Sequence, residues 1–147
     1  MNSKAMTLME ILIVVVLIGI IASFALASYR KMIFKANERD AVLNLTVIQG
    51  ANKIYRAKNS SYWDTAGSSE TDLNVINGTL GTNIVSNNPA YSYQSNISVD
   101  PNTFTASAIY TDATASNNFT LRINEGIISS TNPCCDSGAC PSRPACP

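Results

Sequence analysis

Met6-Thr7-Leu8-Met9-Glu10-Ile11-Leu12-Ile13-Val14-Val15-Val16-Leu17-Ile18-Gly19-Ile20-Ile21-Ala22 is the stretch that decides the fold. The apolar run extends to residue 27, 22 residues in all, and its only strongly polar members are Thr7, Glu10 and Ser23. As a helix rising 1.5 Å per residue it spans roughly 33 Å, enough to cross a bilayer. A removed secretory signal has a shorter apolar core with a small-residue cleavage site after it; here the apolar segment runs on without a break. An acid this close to the start of a membrane-length helix is rare. Insertion scales charge about 2.5 to 3.5 kcal/mol for it at the bilayer centre and less near the end. Glu10 is therefore either a carboxylate at head-group level without a role or a group with a dedicated partner.

Beyond the membrane-length segment the helical signal persists. Arg30 and Lys31 follow Tyr29, and apolar positions then recur at Ala41, Leu45, Ile48, Ala51 and Tyr55, in steps of four, three, three and four. Gly50 is one weak break. The pattern predicts a single helix over residues 6–58, roughly 80 Å if continuous. Its second half has one apolar face to bury in its own domain, whereas its first half is apolar all round and needs lipid or other copies of itself.

From Asn59 the composition turns to Asn, Ser, Thr and Gly, which predicts a long loop over 59–89 anchored by Tyr62 and Trp63. Strands are expected over 90–99, 103–110 after the Asp100-Pro101-Asn102 turn, 118–123 with Phe119, Leu121 and Ile123 alternating, and 127–130 after a tight Asn124-Glu125-Gly126 connection. An antiparallel meander over 90–130 is the economical topology. The tail, 131–147, holds all four cysteines (Cys134, Cys135, Cys140, Cys146) and four of the six prolines, and is expected to be irregular. An even number of cysteines there reads as disulfides if the head lies outside the cytoplasm. A four-thiolate zinc site is the competing reading, but it lacks paired Cys-x-x-Cys spacings. Bridging Cys134 to the adjacent Cys135 would strain the peptide between them, so each should pair with Cys140 or Cys146. The fold class expected is α+β.

Ten basic and ten acidic residues cancel, so no overall basic field points to nucleic acid. The halves differ: residues 1–58 carry eight basic groups against three acidic ones, a balance of +5, and the remainder carries −5. Opposite signs suit lateral packing of identical subunits, and a basic stem equally suits anionic lipid. The chain has no histidine, which excludes Ser-His-Asp and Cys-His sites, and it has no glycine-rich phosphate loop. Glu70 and Asp72 read as solvated loop charges. Five Asn-x-Ser/Thr triplets, against roughly three expected by chance in a chain of this composition, do not imply glycosylation. No enzyme and no cofactor is expected.

Taken together, Lys4 to Tyr29 resembles the N-terminus of type IV pilins and of the pseudopilins of type II secretion. In that family a short basic leader, the class III signal, is removed by a membrane prepilin peptidase, the new N-terminus is methylated, and the fifth mature residue is Glu. The resemblance implies a leader over 1–5, cleavage between Ala5 and Met6, methylation of Met6, and Glu10, with Thr7 nearby, as the assembly residues. Gly19 and Tyr29 also stand where the family usually has Gly and Tyr. Ala5, Met6 and Ala27 replace the usual Gly, Phe and Pro. For residues 59–147 the resemblance implies a head with a small sheet and a disulfide-bounded tail, closer to pilins than to the calcium loop of the major pseudopilin.

The function implied is a structural subunit of a type IV pilus-like filament, serving adhesion, motility or DNA uptake, with a type II secretion pseudopilin as one alternative and a membrane-anchored binding domain that never polymerises as another. The implied partners are further copies of the chain, the prepilin peptidase, an inner-membrane assembly platform with its ATPase, and membrane lipid before assembly. Such a chain spans the inner membrane once before assembly and reaches the cell surface afterwards. Lys4 alone precedes the span while Arg30, Lys31 and Lys35 follow it, a charge bias that by itself favours the reverse orientation.

Overall fold

The computed structural model describes residues 8–85, 89–95, 103–112, 118–125, 132–138, 140 and 142–146, and all of their side chains except those of 24–27. The element order is α1 (Leu8–Asn59), α2 (Leu73–Leu80), β1 (Ala90–Gln94), β2 (Thr105–Tyr110), β3 (Phe119–Asn124) and β4 (Cys134–Gly138). The chain divides into two units, Met1–Phe34 and Lys35–Pro147, and α1 contributes to both.

In the second unit α1 supplies a straight buried stripe of Glu38, Ala41, Leu45, Ile48 and Asn52. Their steps of three, four, three and four average close to the helical period, so all five point to one side. Sequence periodicity continued the stripe through Ala51 and Tyr55, but these are only half-buried and the polar Asn52 takes the central place. The helix face meets a four-stranded antiparallel sheet of order β1-β2-β3-β4. The strands alternate as a one-sided sheet must: Tyr91 and Tyr93, then Ala106, Ala108 and Tyr110, then Phe119, Leu121 and Ile123 are buried. Register places Tyr91, Ala108 and Leu121 in one row and Tyr93, Ala106 and Ile123 in the next. Each row runs large, small, large, which leaves space above the alanines for the helix side chains. Fully burying a side chain such as Leu45 or Phe119 stabilises the head by about 1.5 to 3 kcal/mol. The other sheet face is polar, and Ser92 and Ser107, directly opposite each other, share a 2.7 Å hydrogen bond.

Two elements depart from expectation. The segment 59–89 is not all loop, because Leu73–Leu80 forms α2. Asp72 caps it by accepting the Asn74 N–H at 2.8 Å, Ile76 and Leu80 are buried, and Gly81 closes it at φ 66°. Asn77 fixes the exit, donating to the Ile84 carbonyl and accepting from the Thr82 hydroxyl and the Ile84 N–H. The tail, in turn, is not irregular throughout: Cys134–Gly138 is the fourth strand, paired antiparallel with β3 past a register shift at Thr120/Leu121. Pro133 just precedes it, where its missing N–H breaks no ladder bond. The strand expected over 127–130 lies outside the described residues.

Both sheet edges are partly occupied. Glu70 bridges to Tyr93 along β1, and Ala145 bridges to Cys135 along β4. A single bridge on each side blunts an edge that would otherwise accept a strand from another molecule.

Candidate functional site

The described residues of unit one form the first part of α1. The helix is long and apolar enough to cross a membrane, and none of its most apolar window is buried within the chain. Ile11 to Ile18 are all exposed to about half their surface, on every side of the helix. Such a surface is buried by none of the described residues and is stable in water only when lipid or protein covers it. The polar groups on it are few. Ser23 returns its hydroxyl proton to the Ile20 carbonyl at 2.7 Å, which removes its hydrogen-bonding demand from any surrounding medium. Gly19 opens a gap on the surface, since nothing lies within 4 Å of where its Cβ would stand. Glu10 sits in the first turn, where the aligned peptide dipoles favour a negative charge. Ala5, Met6 and Thr7 lie outside the described residues.

In the second unit the conspicuous chemistry is structural. Asn44 donates to the Tyr91 hydroxyl and Asn52 to the Tyr93 hydroxyl, each at 2.7 Å. The Tyr93 hydroxyl donates onward to the Trp63 carbonyl at 3.0 Å, and Asn52 accepts the Trp63 N–H at 3.4 Å. Helix, sheet and loop are thereby joined at one buried point. Trp63 stacks on Tyr93 with ring centres 4.8 Å apart, Tyr93 on Phe104 at 5.7 Å, and Tyr62 meets Phe104 edge-on at 4.9 Å. Burial pushes Tyr91 up to about 12, against the Asn44 hydrogen bond, and pushes Tyr93 higher still. Burial also raises Tyr62, while Arg56, whose guanidinium lies 5.0 Å from the ring centre and donates to the hydroxyl at 3.2 Å, pulls it back. Raised phenols serve here as neutral hydrogen-bonding groups.

The four cysteines are brought together as Cys134–Cys146 and Cys135–Cys140, one loop nested inside the other. No described cysteine is free, so the thiolates a zinc site would need are absent, and among the described residues no three His, Cys, Asp or Glu gather as metal ligands. The returning chain is held against β4 by Cys135 N–H to the Pro144 carbonyl at 2.7 Å and Cys146 N–H to the Cys135 carbonyl at 2.8 Å. It is also fastened to α1, because the buried Glu38 carboxylate accepts the Ser142 N–H at 3.0 Å. Sequence reasoning missed Glu38 and Asn52. The available signal was their place on the same helical stripe as Ala41, Leu45 and Ile48, since a polar residue on a core stripe must find a partner.

Among the described residues the opposite side of the same helix is exposed, with Leu43 at its margin lining a groove shared with Arg39, Ser142 and Arg143. Residues Ala36, Leu43, Val47, Gly50, Ile54 and Ala57 are all exposed. Leu43, Val47 and Ile54 retain 65%, 47% and 60% of their surface, too much for side chains packed on their own domain. No protein-family model matches the chain, and neither a curated protein nor a solved structure matches it.

Proposed function

We propose that this chain is a non-enzymatic structural subunit of a type IV pilus-like filament, anchored in a membrane by the first part of α1 and polymerising through it. The observation that carries the reading is the fully exposed, all-round apolar helix with a single acid in its first turn. A solitary anchor needs only apolar surface, whereas an acid in that position is tolerated best when an assembly supplies its counter-charge. The resemblance of residues 4–29 to the pilin N-terminus names that counter-charge as the amino group of Met6 after removal of residues 1–5. Apolar stems exchange lipid for one another in the filament core and the heads form its outer surface. An ATP-driven assembly platform supplies the energy. The two nested disulfides favour a head that works on the oxidising side of the membrane.

The test is direct. Filaments sheared from cells expressing the chain are imaged by electron microscopy, and their subunit is weighed intact. The proposal requires filaments whose subunit begins at a methylated Met6. A chain that stays monomeric in the membrane, or filaments that retain residues 1–5, would overturn it.

A further inference from the structure

The exposed stripe on α1 within the second unit has a definite geometry. Leu43, Val47, Gly50 and Ile54 each follow a buried core position, Ala41, Leu45, Ile48 and Asn52, by two residues. Two residues turn the helix by roughly 200°, so the stripe faces directly away from the sheet. It offers the requirements for close packing: three bulky apolar side chains and, between them, Gly50, with nothing within 4 Å of its Cβ position. Its margins are basic. Lys35, Arg39 and Lys58 are exposed on the helix turns beside it, with Asp40 the one exposed acid there, while Lys53 is turned to Glu125 of its own head at 4.0 Å.

The chemistry a partner needs is therefore apolar and acidic, and the chain carries such a segment itself. No Lys or Arg occurs between Lys58 and Arg122, whereas Asp64, Glu70 and Asp72 fall close together, with Asp64 and Asp72 exposed. Val75, on the first turns of α2, stands 41% exposed just beyond them. This segment runs along the β1 edge, where Glu70 and Tyr93 exchange backbone hydrogen bonds. It thus occupies a different side of the head from the back of α1. A contact between a stripe on one copy and its complement on the next, where the two faces do not engage at once in a single pair, is heterologous and joins copies into a ring or an open series.

We propose that the basic-edged stripe of α1, centred on Val47, docks the acidic 64–75 segment of a second copy of this chain. The contact rests on the filament reading and deepens it, since it assigns the lateral register of the heads. The apolar contact supplies the affinity, and the charges select this register over stripe-on-stripe packing, in which like charges would meet.

The test uses full-length chains in the membrane, carrying Val47→Cys or Val75→Cys, expressed separately and together, and treated with a short bismaleimide. Val47→Cys and Val75→Cys expressed together are expected to give a cross-linked dimer, and either variant alone none, as a contact between two different faces demands. Arg39→Glu with Lys58→Glu in the Val47→Cys chain is expected to lower that product at least fivefold, as is raising the salt to 1 M. Self-linking of Val47→Cys alone, or its protection by lipid in uncross-linked chains, would overturn the proposal. Sheared-filament yield is read in parallel. Filaments without the mixed cross-link overturn the docking surface and leave the filament reading intact; the mixed dimer without filaments does the reverse; absence of both overturns the two together.

Discussion

Asn52 is the polar centre of the head, and its replacement by leucine is the most informative single change there. Leucine is close in size, so the perturbation is mainly the loss of two hydrogen bonds. The Tyr93 hydroxyl loses the 2.7 Å donor, and the Trp63 N–H loses its 3.4 Å acceptor. The hydroxyl still donates to the Trp63 carbonyl, which limits its loss. An orphaned buried polar group costs about 1 to 3 kcal/mol; with one bond long and one group still partly satisfied, we expect about 2 kcal/mol in total. For a head of this size that lowers the melting temperature by roughly 8 °C. Tyr93→Phe orphans the Asn52 amide instead and is expected to cost a similar amount. Combining the two removes both partners, so the double variant should be more stable than the sum of the singles predicts, by about 1 to 2 kcal/mol. Thermal unfolding of the full chain in detergent is followed through Trp63, the only tryptophan, whose ring stacks on Tyr93. An Asn52→Leu chain within 0.5 kcal/mol of the original, or strictly additive variants, would refute the claim that this point joins helix, sheet and loop.

Three further outcomes follow from the head. Tyr91 and Tyr93 keep their protons to higher pH when folded than when unfolded, so stability is full below about pH 10 and falls as pH rises from there toward 12. The slope expected is about 1.4 kcal/mol per pH unit for each tyrosine, read from urea unfolding midpoints between pH 9 and 11.5. Reduction opens bridges of sequence separation 12 and 5, worth about 3 and 2 kcal/mol in the chain-entropy account, and should release Ser142 from Glu38. Amide exchange at Ser142 and Cys146 would rise with reductant before the sheet core does, and unchanged protection there would count against the latch. Gly138 stands at φ 84°, and a Cβ on it would overlap the Asn118 carbonyl oxygen, so Gly138→Ala should cost more than 2 kcal/mol in the same unfolding assay.

The long helix was legible because its two signals, a membrane-length apolar run and a period near 3.6, are strong and uninterrupted. The strand at Thr105–Tyr110 was legible from the Asp100-Pro101-Asn102 turn before it and that at Phe119–Asn124 from alternation. Other features escaped for physical reasons. The α2 segment contains Asn74, Asn77, Gly78 and Thr79, poor helix formers that outweigh Ile76 and Leu80 in any local reading. What makes it a helix is burial of those two residues together with caps at both ends. The fourth strand was hidden by its cysteines and by the prolines of the tail around it, because only pairing with β3, fixed in register by the fold, makes an extended Cys134–Gly138 favourable. The polar core members Glu38 and Asn52 are visible as irregularities in a stripe, but their partners Ser142, Tyr93 and Trp63 are distant in sequence and are set by tertiary structure. The docking stripe was equally open to a helical wheel, yet exposure is a property of the folded head and no periodicity distinguishes a solvent face from a second buried one.

The claim that the acid of the apolar helix acts in polymerisation is tested by replacing Glu10 in the sole copy of the chain. Paired with the Met6 amine about one helical turn away, roughly 6 Å along the axis, the carboxylate rewards correct axial register, since a misplaced subunit leaves two charges unmatched in hydrocarbon. Glu10→Gln keeps the shape and removes the charge, and Glu10→Ala removes both. The measurement is the ratio of sheared filament to membrane-bound subunit. Both variants are predicted to insert and to lose residues 1–5 as the original does, yet to yield few or no filaments; a yield from Glu10→Ala equal to that of the original chain would contradict the account.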